Sequence, residues 1–276
     1  MKNDKQKLIK QNLSTLLKKF SKNDVIVKME TEYTNANAKV LPTKLIDDNA
    51  FLKNVKISAE DLRGLHESVM NNGIITPLVV RPKKDHFEIV LGRKRLFVAK
   101  ELNIQEVPVI VREFSDEEML VMLLAFMRDN RDMNSVGIAI LCNHLTKDFH
   151  YTQQSLADLT HQSRSQITNT MRLLNLPEHV LNDVSRGKLS YGHAKSLATL
   201  PESVVNEFVA KIMKENLSVR ATERMVARYK STSTFTLKEK FISKKYNSQV
   251  QLTKKSITLT FSSENELKLF LEKLEK

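Results

Sequence analysis

The stretch TQQSLADLTHQSRSQITNTMRLLNL (residues 152–176) decides the fold, because it contains two short helical patterns joined by a tight connection. Thr152 is positioned to cap the first helix with its side-chain oxygen. Ser163 is positioned to cap the second helix, and Gln166 three residues later completes a capping box. The pattern therefore predicts a pair of short helices, the second of which begins near residue 163.

The second helix of this stretch has one apolar face and one polar face. Ile167, Met171 and Leu174 fall at i, i+4 and i+7, so they share a face. The opposite face carries small hydrogen-bonding side chains and an arginine, which suit insertion into a DNA major groove with the N-terminal residues at the base edges. The alternative is an ordinary amphipathic helix pair. The candidate DNA-contacting residues here are Thr152, Gln153, Ser163, Arg164, Ser165, Gln166, Thr168, Asn169 and Arg172.

The charge of the chain supports a nucleic-acid partner. Its 44 Lys and Arg residues against 32 Asp and Glu give a formal charge of +12 and a pI near 9.6, as in many nucleic-acid binders, although a membrane-surface protein shares this balance. Residues 211–255 hold twelve Lys or Arg and three Glu. Basic segments of this kind bind phosphate without reading sequence, or form a solvated basic linker.

Several classes of protein do not fit the composition. The single cysteine, Cys142, excludes an intramolecular disulfide framework and a zinc site built on several thiolates, and its apolar neighbours indicate a packed thiol. We find no catalytic constellation and no metal-ligand spacing among the seven histidines. An apolar run of the ~20 residues that span a bilayer is absent, as is a secretory signal. We expect a cytoplasmic protein.

The N-terminal residues 1–39 read as a basic amphipathic helix followed by a polar linker. Residues 1–22 contain seven Lys and one Asp, and an apolar face formed by Ile9, Leu13, Leu16, Leu17 and Phe20. Such a helix can lie on an anionic membrane, dock into a partner's groove, or pack on its own protein.

Four further segments follow in the predicted organisation. Residues 40–114 predict a small α/β domain, with strands at 78–80, 87–91 and 107–111. One helix is predicted between Ser58 and Gly73, before the first strand, and another at residues 93–102, between the second and third strands. Residues 115–230 predict an all-α domain that contains the helix pair, and its first helix runs from Ser115 to about residue 133. Residues 231–240 predict a linker. The overall class is therefore α+β.

The last 36 residues, 241–276, predict a small strand-plus-helix module. Ile257, Leu259 and Phe261 alternate as in a half-buried strand. A helix with one apolar face follows, formed by Leu267, Phe270, Leu271 and Leu274. So short a segment cannot build a core alone, so we expect it to pair with a second copy; docking onto the rest of the chain is the alternative.

The order of these parts resembles the ParB/Spo0J/Noc family of bacterial chromosome-partitioning proteins. In the α/β domain the resemblance rests on GIITPLVVRP (73–82), FEIVLGRKR (87–95) and VPVIVREFSDEE (107–118). In the helical domain it rests on TQQSLADL, SRSQITNTMRLLNLP and GKLSYGHAKSLATLP (187–201). The C-terminal module is similar to the family's dimerisation module.

The resemblance implies a nucleoid-associated homodimer that binds a palindromic parS-like site on double-stranded DNA through its helix-turn-helix. It implies chromosome or plasmid partitioning, with nucleoid occlusion as an alternative. It also implies that residues 1–22 contact either a ParA-type ATPase or a membrane surface. The helices after the recognition helix add DNA contacts in this family, and the matching positions are Lys188, Ser190, His193 and Lys195.

The resemblance also implies a site for CTP and Mg²⁺ in the N-terminal domain, used to close a clamp on DNA. The family's phosphate-binding signature GERRxRA corresponds to GRKRLFV at residues 92–98, where Arg93 stands in the acidic position and Phe97 in that of the third arginine. A glycine turn that opens a helix presents backbone N–H groups to an anion. The candidate nucleotide-binding residues are Thr76, Gly92, Arg93, Lys94 and Arg95.

A second signature, ENxxR, serves magnesium and triphosphate in the family. Gap-free counting places it at Phe126, Met127 and Asn130, and neither a phenyl ring nor a thioether supplies the oxygen ligand that magnesium needs. The upstream NPxQPRxxF pattern is replaced by DNAF at residues 48–51. We therefore expect a DNA-binding dimer that uses no cofactor and does not hydrolyse CTP. The alternative is a CTP-dependent clamp with a rearranged pocket, in which Asp129 holds the metal.

Overall fold

The computed structural model describes residues 38–129, 134–246, 248–252 and 256–274. Internal contacts divide the chain into two units, with the boundary after residue 209. The predicted basic helix at residues 1–22 lies outside the described residues, so its membrane or protein partner stays a prediction. Within the described ranges, the helices are all too short or too polar to cross a membrane.

The first unit begins with a five-stranded mixed sheet, whose strands are β1 (Lys39–Pro42), β2 (Ile46–Asp47), β3 (Leu78–Lys83), β4 (His86–Leu91) and β5 (Glu106–Val111). Their order in the sheet is β1-β5-β3-β4-β2. β3 and β4 form an antiparallel hairpin, whereas β3 pairs parallel with β5 and β2 pairs parallel with β4. The sequence predicts the three central strands from their apolar runs but misses the short edge strands.

Two helices complete the α/β domain, α1 (Ala59–Asn72) and α2 (Arg93–Glu101). α2 packs on the sheet through Leu96, and α1 packs on α2 around Val98. Gly92 precedes α2 with φ at +96°, and a Cβ at this position would lie 2.7 Å from Leu78 Cδ2. The turn therefore requires a glycine, both for its backbone conformation and for its close approach to β3.

The rest of the first unit is helical, as predicted, and its helices are α3 (Asp116–Asp129), α4 (Ser135–Lys147), α5 (Gln153–Thr160), α6 (Arg164–Arg172), α7 (Glu178–Ser185), α8 (Tyr191–Leu197) and α9 (Glu202–Glu215), the last extending past the boundary. Ser115 and Glu118 form a capping box before α3, with both N–H···O distances at 3.2 Å. The helix predicted from Ser115 to about residue 133 is described as far as Asp129, and Asn134 caps the next helix by accepting the Val136 N–H at 3.1 Å.

One hydrophobic core runs from the sheet to α6. It includes Val90 of β4, Leu120 of α3, Leu141 of α4 and Ile167 of α6. Cys142 is fully buried in the same core, and burial raises the pKa of its thiol to about 12. The thiol therefore stays protonated at neutral pH, which confirms the prediction of a packed rather than a reactive cysteine.

The second unit contains the elements α10 (Val219–Tyr246), β6 (Gln249–Leu252), β7 (Ile257–Thr260) and α11 (Glu264–Leu274). The prediction of a linker at residues 231–240 is wrong for the backbone, because these residues lie inside α10. β6 and β7 form an antiparallel hairpin. The ring of Phe270 on α11 packs against the rings of Tyr246 and Phe261, at centroid distances of 5.2 and 5.1 Å.

Because Ile167 has no exposed surface, its substitution tests how firmly α6 is held. We expect Ile167→Val to lower the free energy of unfolding by about 0.5–1.5 kcal/mol and Ile167→Ala by about 2–5 kcal/mol, since each removes buried methyl groups and leaves a cavity. Urea denaturation followed by circular dichroism measures both. Equal losses for the two variants would contradict a tightly packed site.

Candidate nucleic-acid interface

The helices α5 and α6 are joined by a three-residue turn that the sequence specifies locally. Thr152 caps α5 by accepting the Ser155 N–H at 3.0 Å, as predicted. His161 ends α5 in the left-handed conformation, with φ at +52°. Ser163 then begins α6: its N–H donates to Gln166 Oε1 at 2.8 Å, and the Gln166 N–H donates to Ser163 Oγ at 3.2 Å. The predicted capping box is confirmed.

The polar face of α6 lies open to solvent, as predicted. We define the recognition surface as the nine residues that the sequence predicts to contact DNA. Its exposed members are Thr152, Ser163, Arg164, Ser165, Gln166 and Arg172, and its half-buried members are Gln153, Thr168 and Asn169. The buried face is wider than the predicted stripe, because Thr170 and Leu173 are buried together with Ile167.

One hydrogen bond couples the recognition surface across the two helices. Thr168 Oγ1 lies 2.9 Å from Gln153 Oε1 on α5 and 2.9 Å from the Arg164 carbonyl oxygen one turn earlier on α6. A hydroxyl has a single hydrogen, which the two acceptors share. The contact fixes the amide of Gln153 at the first turn of α5, where its nitrogen remains a hydrogen-bond donor.

The structure places the four further candidate residues on the segment beyond α6. Ser190 caps α8, and its Oγ lies 2.9 Å from His193 Nδ1. Lys188 and Lys195 are exposed at the two ends of this segment. The Tyr191 hydroxyl lies 3.4 Å from Thr170 Oγ1 on α6. Tyr191 is thus a supporting residue that the sequence analysis misses, and its only sequence signal is its place after the Ser190 cap.

The electrostatics of this region favour an anion. Residues 161–176 contain Arg164 and Arg172 and no acidic residue. Both arginines are exposed, one at each end of α6. The N-terminal turn of α6 adds the partial positive charge of the helix dipole. The surface can therefore donate hydrogen bonds to base edges and phosphates without an acidic group that repels them.

Four of the five candidate nucleotide-binding residues line a separate cavity of about 400 Å³, and Thr76 is not among its lining residues. Gly92, Arg93, Lys94 and Arg95 line it at the start of α2, together with Lys56 and a mostly apolar wall. Arg95 Nη1 donates to the Thr76 carbonyl oxygen, and lies 3.3 Å from that of Pro77. The sequence thus identifies a real cluster of cations around a cavity.

Arg93 donates four of its five N–H hydrogens to protein groups. Its Nε and Nη2 atoms donate to the two carboxylate oxygens of Asp48, at 2.7 and 2.8 Å. Its Nη1 donates to the Val55 carbonyl oxygen at 2.8 Å. The sequence analysis misses Asp48 as its partner, although DNAF at 48–51 is the place where the resemblance fails. In this arrangement one N–H of Arg93 remains for a phosphate, so a bidentate phosphate contact requires breaking the Asp48 pair.

The donor set around the cavity does not fit magnesium. Phe126 and Met127, at the positions of the second signature, line the cavity with carbon and sulfur. Among the described residues that line it, none is Asp or Glu. The side chain of Asp129 and residue Asn130 lie outside the described residues. A search of the described residues finds no cluster of three His, Cys, Asp or Glu suited to a metal.

A mixed α/β domain followed by a helix-turn-helix with an exposed, basic second helix defines the chain as a helix-turn-helix protein. Two family models match it, the ParB N-terminal domain over residues 27–126 and the ParB HTH domain over residues 131–231. The chain belongs to the ParB family of chromosome-partitioning proteins.

Two relatives illustrate the breadth of the family. A probable chromosome-partitioning protein ParB of Pseudomonas putida is 31% identical over 192 residues, which span 69% of this chain and 66% of that protein. A nucleoid occlusion protein of Shouchella clausii is 30% identical over 227 residues, which span 82% of this chain and 78% of that protein.

Two solved structures of a C-terminally truncated Caulobacter crescentus ParB are also similar. The complex with the centromeric parS site is 30% identical, covers 69% of this chain and 99% of that one, and has a TM-score of 0.41. The complex with CTP-γ-S is 29% identical, covers 62% of this chain and 98% of that one, and has a TM-score of 0.32.

Two serines at the start of α6, Ser163 and Ser165, allow the contribution of the helix cap to stability to be compared with that of an ordinary exposed hydroxyl. We expect Ser163→Ala to cost about 0.5–2 kcal/mol of stability, because the Gln166 N–H loses its acceptor. The matched control Ser165→Ala should stay within about 0.5 kcal/mol, since its hydroxyl bonds only that of Ser163 among the contacts found. Chemical denaturation measures both. A loss at Ser165 as large as that at Ser163 would contradict this account.

Proposed function

We propose that the chain is a sequence-specific DNA-binding protein that binds a palindromic parS-like site as a dimer and serves chromosome or plasmid partitioning in association with the nucleoid. The observation that supports this most is the geometry of α6. Its apolar face is buried, its N-terminal turn is capped, and Arg164, Ser165 and Gln166 stand exposed on that turn. Membership of the ParB family supports the same function.

Different exposed side chains of α6 are suited to different bases. An arginine pairs with the O6 and N7 atoms of guanine, and an Asn or Gln amide pairs with adenine. Gln166 Oε1 already accepts the N–H and the hydroxyl of Ser163, at 2.8 and 3.0 Å. The amide of Gln166 therefore serves the helix cap, so we assign guanine recognition to Arg164 and amide-based recognition to Asn169.

Phosphate contacts hold the protein in register. The exposed Lys188 precedes α8 and the exposed Lys195 lies in its last turn, and α8 packs beside α6 through Tyr191. In the second unit, Arg220, Arg224 and Arg228 recur every four residues along α10 and are exposed, so they share a face. Such cations bind phosphates of any sequence and release counterions, so affinity should fall steeply as salt rises.

The C-terminal module is proposed to join two protomers. Its helix α11 exposes Leu267, Leu269 and Leu271 by 40, 58 and 49%, and β7 exposes Ile257 by 62%. A two-stranded hairpin and one helix leave this apolar surface in water, which a second copy can cover. Pairing of two chains gives the two-fold symmetry that a palindromic site requires.

The alternative is a CTP-dependent clamp that uses the cavity at the start of α2. The observation in its favour is the group of Gly92, Lys94 and Arg95 around that cavity. Two observations favour a protein that does not hydrolyse CTP. Arg93 is paired with Asp48, and Phe126 and Met127 line the wall of the cavity. No residue is assigned a catalytic role.

Substitution of Arg164 tests whether this side chain recognises a base. We expect Arg164→Ala to cost about 1–3 kcal/mol of binding free energy on the preferred site, because a bidentate base contact is lost, and to leave weak binding to scrambled DNA in place. The cognate duplex is selected from genomic fragments that the protein binds. Fluorescence anisotropy on this duplex and on a scrambled one measures both affinities. Arg63, exposed on α1, provides the matched control Arg63→Ala. Equal loss on both duplexes would argue against base reading.

Leu271 carries the test of pairing. We expect Leu271→Asp to convert the dimer to a monomer, because a charge placed in an apolar interface loses its water. Sedimentation velocity measures the mass, and the variant should bind an isolated half-site and the full palindrome with similar affinity per half-site. Lys268→Ala on the same helix is the control, since Lys268 pairs with Glu264 at 3.3 Å within its own helix. A dimeric Leu271 variant would contradict this interface.

A further inference from the structure

Residues 48–56 lie between β2 and α1 in the chain, and they contact both the α/β domain and the helices that lead to α6. We call them the connecting segment. On one side, Asn49 is buried and its Nδ2 donates to the Ile89 carbonyl oxygen of β4 at 3.1 Å. On the other side, Leu52 is buried in the core shared with α3 and α4, and the Phe51 ring lies 4.8 Å from the His144 ring of α4. The segment therefore contacts both domains at once.

One guanidinium fastens this segment to α2. Besides Asp48 and the Val55 carbonyl oxygen, Arg93 donates to the Lys53 carbonyl oxygen at 3.4 Å. Its contacts thus reach the beginning, the middle and the end of the connecting segment from a single position on α2. The Arg93 and Asp48 side chains are 20 and 39% exposed, so solvent screens the pair in part.

The ion pair also resolves an electrostatic conflict at the start of α2. Arg93, Lys94 and Arg95 occupy the first helical turn, where the helix dipole is positive and repels cations. A bound anion would offset that repulsion. In this chain the offsetting anion is the carboxylate of Asp48. Because Asp48 is a residue of the protein, no bound ligand is needed to supply the negative charge.

We infer that the Arg93–Asp48 ion pair fixes the connecting segment in place of a nucleotide, so that the α/β domain and the helix-turn-helix stay joined whether or not CTP and magnesium are present. This is a property of the first unit alone, and it holds independently of which DNA the chain binds. It goes beyond the lack of CTP hydrolysis, because it assigns the structural role of the ligand to two side chains of the protein.

The amide hydrogens of the connecting segment report its attachment. The Leu52 N–H donates to the Asn49 carbonyl oxygen at 3.1 Å, and the Val55 N–H donates to that of Leu52 at 2.8 Å. Both should exchange slowly with deuterium while the segment is held. Hydrogen exchange of the full chain, resolved over peptides covering residues 49–57, therefore measures local opening of the segment.

We expect Arg93→Gln and Asp48→Asn each to raise exchange in this segment on the order of tenfold, because each removes a charged hydrogen-bonded pair. The double variant should exchange no faster than Arg93→Gln alone, since that substitution already removes the pair together with the contacts to the Val55 and Lys53 carbonyl oxygens. Glu101→Gln is the control: it removes the carboxylate that lies 2.6 Å from His66 Nε2 at the other end of α2, and it should leave residues 49–57 unchanged. Peptides from β3 and β4 distinguish local opening from global unfolding.

The nucleotide arm repeats the exchange measurement on the wild-type chain with millimolar CTP and Mg²⁺, with DNA present and absent, and with phosphate release recorded in parallel. We expect no further protection of residues 49–57 and no phosphate release. Protection of the segment by CTP with Mg²⁺ would overturn the inference, because the ligand would then be what holds the connecting segment. Additive effects of the two substitutions, or no effect of either, would also overturn it.

Discussion

The burial of Ile167 is the constraint on which the rest of the structure depends. A nine-residue helix is too short to persist alone in water, so α6 exists because its apolar face is covered and its first turn is capped. Ile167 has no exposed surface and belongs to the same core as Leu120 of α3 and Val90 of β4. The position of the recognition surface is therefore set by packing that reaches back to the sheet.

Local signals were enough to predict the recognition helix and its caps. The capping box is predictable from Ser163 and Gln166, three positions apart, and the apolar face from the spacing of Ile167 and Met171. The structure confirms the capping box and the burial of Ile167. The edge strands β1 and β2 were missed because they are short and pair with partners far along the chain. The helix through residues 231–240 was missed because a Ser/Thr/Lys composition resembles a linker, whereas the backbone continues α10.

Long-range electrostatics explain why the sequence alone misjudges Arg93. Three cations at the positive end of a helix suggest a site for an external anion, which is a sound local argument. The partner is instead Asp48, 45 positions earlier in the chain, and no spacing rule connects the two residues. A departure from a family signature therefore predicts where chemistry changes, but only the fold shows which protein group takes the place of the missing one.

Met127 shows a second substitution of a protein contact for a ligand contact. The resemblance places a polar nucleotide contact at this position, yet the Met127 Cε atom lies 3.4 Å from where a Cβ on Gly137 of α4 would stand, and Leu52 Cδ2 lies 3.7 Å from the same point. These are ordinary van der Waals distances, so α3 and the connecting segment both pack on α4 at Gly137. Met127 thus packs beside the segment that Arg93 holds by charge. Two unrelated interactions with one consequence favour a domain junction held by the protein itself.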